Sequence, residues 1–110
     1  MENHKKILNL LGLATKAGKT ASGGFMTEKS VKGGKAFLVL VPEDASDNTK
    51  KMFFNMCTYY KVPIYLFGRK EELGHAIGRE TRTSVAVLDA GFSKALAKQI
   101  ELNGGSEYEG

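Results

Sequence analysis

The chain has 110 residues, of which 42% are hydrophobic and 25% charged, with Cys57 the one cysteine. That length supports a single packed core, and the composition excludes a disordered or fibrous body, an intramolecular disulfide and a cysteine-rich metal site. Sixteen Lys and Arg against twelve Asp and Glu leave +4, but Glu101, Glu107 and Glu109 lie beyond the last basic residue, so residues 1–100 carry +7 and point to a polyanionic partner.

From His4 to Ala17, Ile7, Leu10, Leu11 and Ala14 recur at helical spacing, and Gly18 predicts the stop. Lys19 to Ser22 suits only a brief strand. Gly23-Gly24 then opens a short helix that Gly33-Gly34 closes, with Thr27 and Val31 facing inward and Phe25, Lys29 and Lys32 on a neighbouring basic and aromatic face. The first-turn N–H groups of such a helix suit an anion such as a phosphate. Taken alone, the stretch reads better as helix punctuation beside a solvated lysine face.

Ala36 to Val41 is an unbroken apolar run, predicting a central strand buried on both faces and ended by Pro42. Ser46 is placed to cap the next helix, whose stripe of Met52, Phe53, Met56, Cys57 and Tyr60 reads as core. A second strand is predicted at 64–67, a helix at 69–77 with Leu73 and Ile77 inward, a polar loop at 79–82, and a strand at 83–88. After Asp89-Ala90-Gly91 a last helix buries Phe92, Ala95, Leu96 and Ile100. Alternating strands and helices predict an α/β fold, a three-layer α/β/α sandwich with a mixed, largely buried sheet. Residues 1–102 form one domain in this reading and 103–110 a flexible acidic tail. With no membrane-length apolar run and no signal-peptide core, a cytoplasmic protein is expected.

Catalytic and cofactor signals are lacking. His4 and His75 have no partner at metal-ligand spacing, the glycine pairs match no nucleotide-binding motif, and Ser22 and Ser46 are explained as helix caps. The paired acids Glu43-Asp44 and Glu71-Glu72 read as solvent-facing. No enzyme, metal or cofactor is expected.

Several short motifs occur in one order: Leu11-Gly12-Leu13-Ala14 with Lys16 and Ala17, Lys19 with Ser22-Gly23, Leu38-Val39-Leu40 before Glu43-Asp44-Ala45-Ser46, Tyr59 to Pro63, Leu73-Gly74, and Ile77-Gly78-Arg79-Glu80. Together they resemble the bacterial YlxQ branch of the kink-turn RNA-binding ribosomal protein superfamily, which includes archaeal L-seven-Ae and eukaryotic L-thirty-e. The resemblance spans about Ile7 to Leu96 and implies an α/β/α sandwich that binds structured, kink-turn-like RNA, with ribosomal or assembly proteins as further partners. The family's Gly-x-Asn-Glu-x-x-Lys motif falls on Gly23 to Lys29. Gly23 and Lys29 match, but Phe25 stands for the Asn and Met26 for the Glu that read sheared G·A pairs, and neither can hydrogen-bond a base edge.

The resemblance and the basic face together nominate Lys19, Gly23, Gly24, Phe25, Met26, Lys29 and Lys32, with Arg79, Thr81, Arg82 and Thr83 of the loop before the last strand, as RNA contacts. A protein-interaction module with weak, non-specific RNA binding, docking through Phe25 and Met26, is the alternative. An enzyme argued from the α/β layout alone is the weakest reading.

Overall fold

The computed structural model describes residues 2–110, apart from the side chain of residue 2. Helices and strands alternate as α1 (Glu2–Lys16), β1 (Thr20–Ser22), α2 (Gly24–Lys32), β2 (Leu38–Val41), α3 (Asp47–Tyr60), β3 (Ile64–Leu66), α4 (Lys70–Ala76), β4 (Val85–Val87) and α5 (Ala90–Leu102). The strands form one sheet in the order β1-β4-β2-β3. β2 runs parallel to β3, while β4 is antiparallel to both β1 and β2, so the sheet is mixed.

Successive side chains of a strand point to opposite faces, and the pleat sorts the core into two halves. Leu38, Leu40, Tyr65, Val85 and Val87 meet Ile7 and Leu11 of α1, Leu73 of α4, and Leu96 and Ile100 of α5. On the other face Val39, Val41, Ile64 and Ala86 meet Val31 of α2 and Phe53 and Cys57 of α3. Two helical layers therefore enclose the sheet, which makes the expected three-layer sandwich. All four residues of β2 are buried, because both of their faces are covered. Each such side chain contributes about 1.5–3 kcal/mol of transfer free energy.

The sequence reading misplaced some edges. The apolar run at 36–41 pairs as a strand only from Leu38, leaving Phe37 exposed at the rim. In α3, Phe53 and Cys57 form the buried row, and Met52, Met56 and Tyr60 form the adjoining i+4 row. That second row turns to the rim, so Met52 and Tyr60 are exposed, contrary to the core stripe expected. Phe92 and Ala95 are likewise only half-buried beside Leu96. The last helix starts at Ala90, so Ala90 and Gly91 belong to it, and Asp89 is its N-cap: the Asp89 carboxylate accepts from the Phe92 N–H at 2.8 Å.

Beyond α5 the chain returns along the outer edge of β3. Tyr108 N donates to Ile64 O at 2.7 Å, and Glu107 pairs antiparallel with Tyr65. Among the described residues, no helix is long and apolar enough to cross a membrane.

Candidate functional site

Strand register gathers the nominated residues. Ser22 and Leu40 both lie opposite Val85, and Val41 lies beside Leu66. The chain leaving β1, β2 and β3 and the chain entering β4 therefore meet at one end of the sheet.

At this end Gly23 turns the chain from β1 into α2. Its φ of 88° and ψ of 158° form a conformation that side-chain-bearing residues avoid. Gly23 N donates to Ser84 O at 3.0 Å, which pins the turn to the loop before β4. The first intrahelical bond runs from Thr27 N to Gly23 O, and no side chain caps the helix. The N–H groups of Gly24, Phe25 and Met26 are thus the uncovered donors of the first turn. Around them Gly24 is exposed, Phe25 is 76% exposed and Met26 44% exposed. Two bulky apolar side chains consequently stand in solvent beside a helix start that favours negative charge.

Beneath this surface, Ser84 Oγ donates to Thr27 Oγ1 at 3.0 Å with both residues fully buried. That bond ties α2 to the 79–84 loop. Arg82 makes the second tie: its Nε donates to Ser22 Oγ at 3.0 Å and one terminal nitrogen donates to Thr81 O at 2.8 Å. Ser22 is therefore not the cap expected of it. It orients a guanidinium whose other terminal nitrogen carries two further donors. Arg79 and Thr81 are exposed on the same loop, and Thr83 is half-buried.

Gly74 seats this loop on α4. A Cβ there would lie 2.5 Å from Glu80 O and 2.6 Å from Thr81 Cα. Only hydrogen at this position lets the loop pass so close to the helix.

The remaining nominated lysines lie apart. Lys19 sits at the opposite end of β1, where its carbonyl accepts from Leu88 N. Lys32, in the last turn of α2, is held by Glu28 at 2.6 Å; this hydrogen bond and the Glu28 charge raise its pKa above the ordinary lysine value. Lys29 is exposed one turn into the helix beyond Phe25.

Two basic residues that the sequence reading passed over join the cluster. Lys70 O accepts from Arg82 N at 3.0 Å, and Lys70 N donates to Asp44 Oδ1 at 2.9 Å. The Arg69 guanidinium lies 3.8 Å from Asp44 Oδ2. Their position just after a predicted strand, at the end where Gly23 also lies, was the available signal. Asp44 and Glu72 are correspondingly not idle surface acids. Glu72 accepts from Arg69 N and hydrogen-bonds His4 Nε2, each at 2.9 Å. Burial would raise the Glu72 carboxyl, but the hydrogen bonds from His4 and Arg69 N outweigh it and hold its pKa below the usual value. His4 is thereby accounted for as the tie between α1 and α4, its ring tilted against that of Phe67 with centroids 4.7 Å apart.

The fold and this end of the sheet define a small α/β/α sandwich that presents a glycine-opened helix start beside an arginine-braced loop. Residues 5–97 match the model of the Ribosomal protein L7Ae/L30e/S12e/Gadd45 family, and the chain belongs to that family. It is 44% identical over 92 residues to RNA-binding protein YlxQ of Bacillus subtilis (strain 168), covering 84% of this chain and 92% of that one. A protein of the same name from Enterococcus faecium is 37% identical over 99 residues, covering 90% and 95%. Among solved structures, a protein with unknown function from Bacillus halodurans superposes with a TM-score of 0.84 at 40% identity, over 87% of this chain and 97% of that one.

Proposed function

We propose that this protein is a non-enzymatic, cytoplasmic RNA-binding protein that takes structured, kink-turn-like RNA, in association with the ribosome, on the surface formed by the start of α2 and the 79–83 loop. The observation that carries this reading is the exposed Phe25–Met26 pair at an uncapped helix start, which the Thr27–Ser84 and Ser22–Arg82 hydrogen bonds hold beside the loop before β4. Phosphates meet the Gly24, Phe25 and Met26 N–H groups, Lys29, Arg79, Arg82 and the Thr81 and Thr83 hydroxyls, while Phe25 stacks on a base or sugar. Lys19 and Lys32 reach flanking phosphates from farther out. Since Phe25 and Met26 carry no group that can read a base edge, discrimination rests on backbone shape. Family membership and the likeness to the RNA-binding protein YlxQ relatives support RNA as the partner.

Titration against a kink-turn RNA and a straight duplex tests this. The kink-turn is expected to bind more tightly, and Phe25→Ala to weaken it by about 1–3 kcal/mol, the usual worth of one stacked base. Equal affinity for both RNAs would remove the kink-turn claim, and no affinity for either would remove RNA binding. The exposure of Phe25 favours one second reading, a protein-docking patch. Phe25→Ala that spares RNA affinity while abolishing capture of a ribosomal protein selects it.

A further inference from the structure

The outer edge of β3 lies across the sheet from β1 and α2, and the proposed RNA surface makes no use of it. An edge strand presents unpaired N–H and C=O groups and is a template for an added strand. Here the added strand belongs to the chain itself. Residues 106–109 run antiparallel to β3, with Tyr108 N donating to Ile64 O at 2.7 Å and Glu107 opposite Tyr65. The Tyr108 ring meets Phe54 of α3 edge-on, with centroids 5.5 Å apart, in a groove floored by Val62 and Ile64. Lys61 lines one side of that groove beside Glu107 and Glu109, and Lys50 and Lys51, together with Asp47, line its continuation beside Glu109. Backbone pairing, an aromatic seat and flanking lysines together specify a ligand: an extended segment in which one aromatic residue lies between two acids.

The seated segment is lightly held. A single β-bridge with its Tyr108 N–Ile64 O bond and the packing of the Tyr108 ring on Phe54 and the α3 side of the core secure it, and among the described residues none of its acids forms an ion pair. Glu107 and Glu109 remain exposed and only Tyr108 is half-buried. A segment attached this way holds its site by high local concentration, and a better-paired competitor displaces it.

The geometry points to a strand-addition site on β3 and α3 for an extended acidic–aromatic–acidic segment of a protein partner, with residues 106–109 occupying the site in that partner's absence. In-register pairing with the N–H and C=O groups of a strand edge suits an extended polypeptide, and the excess of Lys50, Lys51 and Lys61 over Asp47 in the lining disfavours a basic one.

The test uses a labelled peptide with the sequence of residues 103–110 as probe. Three proteins are titrated: the full chain, the full chain with Tyr108→Ala, and the chain lacking residues 106–110, each checked for cooperative melting. Saturable binding is expected to the latter two and to be at least about tenfold weaker to the full chain, whose own segment competes intramolecularly. A peptide with alanine in place of its tyrosine, or Lys50→Glu with Lys51→Glu in the shortened protein, is expected to lose that binding. No saturable binding to the shortened chain, or equal binding to all three, overturns the proposal. Dimerisation of the full chain that Tyr108→Ala abolishes would overturn it too, assigning the groove to exchange between copies. RNA affinity is expected to be unchanged by Tyr108→Ala, so failure here leaves the RNA reading standing and the converse holds.

Discussion

Two buried hydroxyls, those of Thr27 and Ser84, hold the start of α2 against the loop that braces Arg82. Removing one leaves the other without its partner in a dry site, which costs about 1–3 kcal/mol, whereas removing both is far milder. Thr27→Val and Ser84→Ala are therefore each expected to lower stability, and the double variant to recover part of the loss. Denaturant melts of the four proteins measure that coupling directly. The sequence showed Thr27 as inward-facing but not as paired, because its partner is 57 residues away and comes into range only through strand pairing. Burial pushes the Cys57 thiol up to about 12, so at neutral pH it is a core hydrophobe and not a nucleophile. Its labelling by a thiol reagent is expected to follow the rate of opening of the α3 side of the core.

Glu72 carries the clearest pH dependence. Its folded pKa lies below its unfolded value of 4.5, so its contribution to stability is complete above that value and is lost as pH falls through the folded pKa. Glu72→Gln is expected to flatten the acid limb of a Tm-against-pH profile below pH 4.5 and to lower the plateau above it. An unchanged acid limb would show that the His4 and Arg69 hydrogen bonds do not distinguish the folded carboxylate.

At the scale of elements, α4 and the 79–83 loop behave as one part. Gly74→Ala would drive a methyl into the Glu80 carbonyl and Thr81 Cα, so the loop must lift. Overpacking of this kind costs about 1–3 kcal/mol. Because Arg82 rides on the loop, RNA affinity is expected to fall along with stability. Helices and strands themselves were legible in order, since the switch from 3.6-residue to continuous apolar patterning survives in β2, β3 and β4 and the helices between them, whereas β1, Thr20-Ala21-Ser22, was marked only by its brevity between two glycine stops. Their ends were less so. Asp89 caps α5 while Ser22 caps nothing, and the two are hard to tell apart from residue type alone: Ser22 was taken up by Arg82, 60 residues on. The candidate site was legible at Gly23 to Lys29, where a local glycine signal marks the turn. Arg69 and Lys70 were not, because Asp44 and Arg82 bring them to the site from other loops.

For the whole molecule, surplus positive charge is useful to RNA binding only where it faces the partner. Neutralising a phosphate releases counterions, and log K falls with log salt by about 0.9 per contact on duplex DNA and 0.7 on single strands. Arg82 sits at the loop end of the sheet, while Lys98 lies on α5 beside Lys6 in the opposite helical layer. Both carry one positive charge, so removing either changes the net charge of the protein equally. Arg82→Ala is expected to reduce the slope of log K against log salt by about 0.7–0.9, the share of one lost phosphate contact. Lys98→Ala is expected to leave it unchanged, since a charge farther from the RNA than a Debye length of about 8 Å is screened at physiological salt. Equal effects would mean that the whole basic body attracts RNA and that the α2 surface does not direct it. A difference confined to Arg82 would tie the interaction to the helix start and its braced loop.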